Sequence, residues 1–268
     1  MKEKYASKTS IFERLAPVLV ILSIGLAFMV GVLWQKVSNL EKGGVATKTG
    51  DTQAQPAAPT VNIDTVKGVF DKDVIKFGDA GRKVLFVEIL DPSCPYCHVA
   101  GGDDPEIGLE MGDRFRYKSA GGTYEPPVTE MRKLVDSGKA SIAFIYYPGH
   151  GNGEMAMKAL YCADEKGKFW EAHKLLMSKA GYDLQNNTVK NDKAQSGKVA
   201  DFLKGVVDAS FIKSCLDSGK YDARLASDQS LAVGLGVQGT PGFFVNANSF
   251  PGAYSWTDIK SAVDSALK

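Results

Sequence analysis

The chain has 268 residues, 44% of them hydrophobic and 24% charged, an ordinary globular composition with room for one large domain or two small ones. Its 32 lysines and arginines face 31 acidic residues, a formal net charge of +1. The positive excess that neutralises nucleic-acid phosphates is therefore missing, which argues against nucleic acid as a partner.

Residues 1–14 form a short tail carrying Lys2, Lys4, Lys8 and Arg14. Residues 15–34, Leu15 to Trp34, are an uncharged apolar run of about the 20 residues a helix needs to cross a bilayer. A cleaved signal peptide would have a shorter apolar region ending in small residues, whereas this run ends in VLWQKVSNLEK. The expectation is one uncleaved N-terminal transmembrane helix with Trp34 at the interface. The basic residues before it place the N-terminus in the cytoplasm and the rest of the chain outside, as the positive-inside bias requires. Residues 35–60, rich in Gly, Thr, Gln, Ala and Pro, read as a flexible tether. Residues 61–268 are then an extracytoplasmic domain, in the periplasm or at the cell exterior. All four cysteines, Cys94, Cys97, Cys162 and Cys215, fall in it, on the oxidising side where cysteines pair.

Within that domain Val84–Leu90 (VLFVEIL) is a short, nearly continuous apolar run stopped by Asp91-Pro92, the pattern of a central strand covered on both faces. The segment from Gly101 to Glu125, dense in glycine and charge, predicts an irregular insertion. PPVTEMRKLVDSGK opens with proline and closes at Gly138, predicting a helix, and Ala140–Tyr147 predicts a second strand. From about 153 to 235 apolar positions recur three and four apart, predicting a block of helices. GTPGFFVNANSFPGA supplies a turn, a strand and a hairpin, and SWTDIKSAVDSALK a last helix with Ser255 as N-cap and Asp258 three residues on.

The chemistry concentrates in LDPSCPYCHVAGG. Cys94-Pro95-Tyr96-Cys97 is a C-x-x-C pair, the form of a redox dithiol, but with His98 it also spells C-x-x-C-H, the attachment signature of c-type haem. A cysteine at a helix N-terminus has its thiolate stabilised by unpaired backbone N–H groups and the helix dipole, and Pro95 suits the first helical position. Cys97, three residues on, shares its face. This favours the dithiol over the haem reading, and His98 is then expected to be a solvent-facing helix residue. Cys162 and Cys215 match no common zinc spacing with His150 or His173. They are expected to form a structural disulfide between two helices. The acidic residues of the insertion are expected to be solvated and not to hold a cation, and Phe169, Trp170 and Tyr182 to pack in the core.

A strand running into CPYC, a helical block carrying YCADEKGKFWEAH, and then GVQGTPGFFVN together resemble the DsbA-like branch of the thioredoxin superfamily, over roughly 62–268. The resemblance implies an α/β thioredoxin fold with an inserted helical subdomain and an enzyme, a protein thiol-disulfide oxidoreductase, that needs no cofactor or metal. It implies a cis Thr240-Pro241 bond opposite Cys94 and Cys97, and substrate binding along Pro95, Tyr96, Thr240 and Pro241. It also places Glu88 where the family carries an acidic residue. That carboxylate is either buried, with a raised pKa suited to relaying a proton to Cys97, or an exposed strand residue. The expected partners are exported polypeptides with thiols or disulfides and a membrane redox partner for recycling. The chemistry expected on these grounds is disulfide introduction, with reduction or isomerisation on the same fold as the alternative. A tethered cytochrome and a non-catalytic substrate-binding module are rivals of another class. The segment after Cys97 departs from the family, whose active-site helix runs on for several turns where this chain has GGDDPEIG.

Overall fold

The computed structural model describes residues 61–268. The expected tail, membrane span and tether lie outside the described residues, and no helix among the described ones is long and apolar enough to cross a membrane. The elements follow the order α1 (Ile63–Val69), β1 (Ile75–Phe77), β2 (Val84–Leu90), α2 (Pro95–Gly101), α3 (Pro105–Glu110), α4 (Pro127–Asp136) and β3 (Ala140–Tyr146). The helical block follows: α5 (Glu154–Asp164), α6 (Phe169–Leu176), α7 (Lys179–Asp183), a π-helical turn (Leu184–Val189), α8 (Ser196–Leu203), α9 (Ala209–Ser218) and α10 (Asp222–Gly234). The chain closes with β4 (Gly242–Val245), β5 (Asn248–Pro251) and α11 (Trp256–Leu267).

The strands form one sheet of order β1-β3-β2-β4-β5, in which β2 and β3 are parallel and the other neighbours antiparallel. Every residue of β2 and β3 is buried, as their unbroken apolar runs require of strands covered on both faces. Because side chains alternate along a strand, Phe86 and Leu90 join the large core shared with the dithiol and the helical block. Leu85, Val87 and Ile89 join the opposite core under α1 and α10. Glu88 shares the parity of Phe86 and Leu90, and its register partners are Phe144 and Phe243. A carboxyl group is thus set among aromatic strand neighbours on the dithiol side.

The helical subdomain between β3 and β4 is pinned by a disulfide joining Cys162 of α5 to Cys215 of α9, with Cα atoms 6.2 Å apart. At α11 the Ser255 and Asp258 capping box is formed in full, satisfying two otherwise orphaned backbone donors. Helix α4 begins at Pro127, and Gly138 beyond its end takes φ +70°.

Two expectations need correction. The segment after Cys97 is ordered and not irregular. Helix α2 ends on Gly102 in the left-handed region at φ 78°, and a Cβ there would also stand 2.5 Å from the Pro126 ring. The chain then builds α3 and two 3-10 turns, Asp113–Phe115 and Lys118–Ala120. Val99, Ile107, Tyr117 and Tyr124 give it a small core of its own. Sequence periodicity misses this because each element is one or two turns long and the stabilising contacts join side chains of different elements. Tyr182, expected to pack with Phe169 and Trp170, lies instead against this small core and edge-on to His98 at 5.2 Å. Phe169 and Trp170 do pack together, at 5.1 Å, beside Phe144 and Phe77.

Candidate active site

The site forms where β2 ends. Asp91 is fully buried and holds the turn into α2: its Oδ1 accepts from the Ser93 N–H at 2.8 Å and the Ser93 hydroxyl at 2.7 Å. Its Oδ2 accepts from the N–H groups of His150 at 2.6 Å and Gly151 at 3.3 Å. The helical block supports the same turn, since Asn186 donates to the Ser93 carbonyl at 3.1 Å and the Asn152 N–H to the Ser93 hydroxyl at 3.1 Å. The turn delivers Cys94 as the N-cap of α2, with Pro95 at the first helical position. A thiol there faces free backbone N–H groups at the positive end of the helix.

Cys94 and Cys97 are both free thiols, 2% and 0% exposed. The Cys94 thiol is pulled down from its ordinary 9.0 to about 6, chiefly by a hydrogen bond from the Cys97 thiol. The Thr240 hydroxyl and the backbone N–H groups of Cys97 and Tyr96 add to this against the opposing effect of burial. Cys97 moves the other way, well above its ordinary value, because burial disfavours its thiolate and the neighbouring Cys94 claims the shared charge. The Asp91 N–H is its one opposing donor, at 3.5 Å. Two identical side chains thus acquire different chemistry: the Cys94 thiol ionises more readily, and Cys97 is held as a thiol.

Thr240-Pro241 is cis and lies against the dithiol, with the Cys94 thiol 3.4 Å from the Thr240 carbonyl. The Thr240 hydroxyl is buried and, apart from its pull on the Cys94 sulfur, has no hydrogen-bond partner. Close approach from the other side requires Gly149, where a Cβ would stand 2.0 Å from that hydroxyl. Tyr96 is 41% exposed beside the dithiol.

Glu88 is fully buried, and neither carboxyl oxygen has a partner. Desolvation raises its pKa from 4.5 to about 7, with a counteracting pull from His173. Of the two placements open from sequence, the structure has the buried one. His173 in turn meets Asp103 at 3.0 Å, Nδ1 to Oδ2. Asp103 and Asp104 are therefore structural groups: the first faces His173, and the second caps α3 and accepts from the Lys179 N–H at 3.0 Å.

His98 corrects a third expectation. It is not solvent-facing but fully buried, with Nδ1 2.8 Å from the Met177 carbonyl and Nε2 2.7 Å from the Pro92 carbonyl. Burial lowers its pKa against the pull of those two carbonyls. Both ring nitrogens are occupied by backbone, and the cysteines are packed beneath the cis-proline segment, so these residues do not fit a covalently attached haem. Cys162, in its disulfide, has no part in a zinc set with His150 or His173. Sequence reasoning read Asp91 only as part of the stop after β2 and did not find the Thr240 hydroxyl, Asn152 or Asn186. Their partners lie tens of residues away, where no local pattern signals them.

The sequence profile of the family described as Thioredoxin matches residues 128–265, just over half of the chain. The chain belongs to the thioredoxin family. The matched stretch begins after the insertion, so the dithiol lies N-terminal to it. Na(+)/H(+) antiporter NhaA 3 of Salinispora tropica is 28% identical over 201 residues, covering 74% of this chain and 25% of the antiporter, so the chain spans about a quarter of that relative's length. A putative protein-disulfide oxidoreductase of Rickettsia conorii is 25% identical over 238 residues, covering 86% of this chain and 72% of that one. Among solved structures, a thioredoxin-like oxidoreductase from Silicibacter pomeroyi superposes with TM-score 0.52 at 22% identity, covering 75% of this chain and 96% of that one. BdbD from Bacillus subtilis does so with TM-score 0.52 at 19% identity, covering 72% and 92%. At these identities the structures speak for the fold. Within that family the chain carries a helical block between β3 and β4 and a CPYC dithiol at the end of β2.

Proposed function

We propose that this thioredoxin-family chain is a membrane-tethered, extracytoplasmic thiol-disulfide oxidoreductase that introduces disulfides into exported polypeptides through Cys94 and Cys97. The observation that carries the reading is the asymmetry of the dithiol, with the Cys94 thiol lowered to about 6 and Cys97 raised. In the oxidised protein a substrate thiolate attacks Cys94 Sγ, the Cys94–Cys97 bond breaks, and Cys97 leaves and takes up a proton. Glu88, held neutral to about pH 7, is placed in the same core to supply it. A second substrate thiolate then attacks the substrate sulfur of the mixed disulfide, and Cys94 leaves as its stabilised thiolate. The substrate has lost two electrons, and both cysteines are reduced until a membrane redox partner removes that pair. Pro95, Tyr96, Thr240 and Pro241 flank the attacked sulfur and bind the substrate.

Stabilising one thiolate of the reduced form favours reduction of the enzyme, and therefore oxidation of the substrate. Tyr96 between the cysteines adds no positive charge, which moderates the effect. The expected reduction potential lies above roughly −270 mV, the value for thioredoxin, and below roughly −120 mV, that for DsbA. Equilibration with glutathione buffers measures it, and a potential at or below thioredoxin's rejects the oxidase in favour of a reductase. The tether rests on the apolar run 15–34 and the basic residues before it. A tag after Lys268 should be open to protease from outside intact cells and one before Met1 protected; the reverse pattern removes the localisation.

A further inference from the structure

We propose that the insertion 101–125 is a substrate-selecting wall. Together with the β5–α11 connection it makes a subsite beside the dithiol for an extended peptide bearing an apolar residue and carboxylates around its reacting cysteine. The inference rests on the proposed thiol-disulfide exchange and adds the class of substrate.

An open groove of about 630 Å³ is lined by Tyr96, Arg114, Phe115, Thr240, Pro241 and Tyr254, so it takes in the residue between the cysteines and the cis-proline segment. Two of its aromatic rings are unusually accessible for their size, Tyr96 at 41% and Tyr254 at 39%. Neither belongs to the packed cores, so each is apolar surface open to a ligand side chain. The wall is held in place. Tyr96 meets Phe115 edge-on at 5.5 Å, Phe115 meets Tyr124 at 5.6 Å, and Tyr124 stacks on Tyr117 at 6.0 Å. That aromatic chain links the residue between the cysteines to the core of the insertion. The Tyr117 hydroxyl donates to the Val99 carbonyl in α2 at 3.0 Å, and the Tyr124 hydroxyl to the Tyr254 carbonyl at 3.3 Å. The Trp256 N–H donates to the Glu125 carbonyl at 2.7 Å, tying the end of the insertion to the start of α11.

The groove's lining carries one cation and one carboxylate, and only the carboxylate is engaged. Arg114 is exposed, lies 5.5 Å from the centre of the Phe115 ring, and forms no ion pair among the described residues. Its neighbour Lys118 is taken by Glu125 at 2.8 Å. The groove's own carboxylate, Asp258, accepts from the Ser255 N–H at 3.0 Å in the capping box, where the positive end of the helix offsets its charge. A carboxylate on the substrate therefore finds a cation without a partner, and an apolar residue finds the Phe115 and Tyr254 rings.

The test uses oxidised protein and two reduced dithiol peptides, identical except that the cysteine next to a phenylalanine is flanked by glutamates in one and lysines in the other. Each rate is divided by the same variant's rate with glutathione. Wild type should favour the glutamate peptide in kcat/KM by about two- to five-fold at low salt, the span of exposed ion pairs. The preference should collapse near 1 M salt, where screening acts within about 3 Å. Arg114→Glu should invert it, and Phe115→Ala should slow both peptides relative to glutathione. Equal rates in wild type, or a preference that Arg114→Glu leaves in place, overturn the subsite while leaving the exchange activity standing. Wild-type protein that exchanges with no thiol, glutathione included, overturns the proposed function and this inference with it.

Discussion

The molecule carries two pairs of cysteines that differ in almost every physical respect except their sulfur. Cys162 and Cys215 sit in the last turns of two packed helices, joined to each other. Cys94 and Cys97 lie three residues apart on one short helix, in contact and unbonded. Burial is not what distinguishes the pairs, because all four residues are buried. What distinguishes them is whether donors are aimed at one sulfur. A bridge across 53 positions restricts the unfolded chain and holds the helical block. A pair within one turn closes almost no loop, so its redox state is set by how well the surroundings stabilise the thiolate.

The sharpest way to break this contrast is at the reactive sulfur. Cys94→Ser should abolish thiol exchange with every substrate, assayed by insulin reduction and by oxidation of a dithiol peptide, whereas residual turnover would mean that Cys97 or another group carries it. Opening the other pair should act on stability instead. Cys162→Ala with Cys215→Ala should lower the unfolding free energy by up to about 4 kcal/mol, the loop-entropy value for a bridge of this span, with exchange retained below the melting transition. In the wild type a mild reductant should open Cys94–Cys97 before Cys162–Cys215, as peptide mapping would show.

Two smaller effects sharpen the account of the reactive end. The folded-state pKa of Glu88 is raised, from 4.5 to about 7. The native protein therefore keeps a proton that the unfolded chain releases, and stability falls as pH rises through that window. Glu88→Gln should flatten the fall, gaining on the order of 3 kcal/mol at pH 8 and nothing at pH 4; denaturant titrations at the two pH values measure it. Cys94 has the opposite sign. Its pKa is depressed to about 6, so the stabilisation it gives the reduced protein is complete above the ordinary thiol value and is lost as pH falls through 6. Alkylation of the reduced protein should show one midpoint near pH 6, assigned to Cys94 by mass spectrometry. A midpoint near 9 would remove the proposed asymmetry.

The regular elements around the site were legible wherever a local rule decides. VLFVEIL reads as a doubly covered strand and forms one, and Ser255 with Asp258 reads as a helix start and caps one. Proline after Cys94 marks the start of α2 in sequence and in space. The insertion was illegible because its turns are short and its order comes from Tyr117 and Tyr124 packing onto Val99 and Ile107. His98 was misplaced because α2 is buried on the side that a short amphipathic helix would turn to water: α7 and the insertion cover it, and the Met177 carbonyl meets the ring.

By itself, then, the sequence determined the strands from β2 onward, most of the helices and the position of the dithiol at a helix start. Periodicity, capping and proline geometry act within a few residues of chain. Only the tertiary structure decided that Glu88 is buried and that Asp91 ties the active-site turn to a segment 59 residues on. It alone brought the Thr240 segment, 146 residues away in the chain, against Cys94. A thiolate's stability depends on the donors and the dielectric within a few ångströms of it, and in a mixed sheet those ångströms are filled by strands and loops that the chain brings together only on folding.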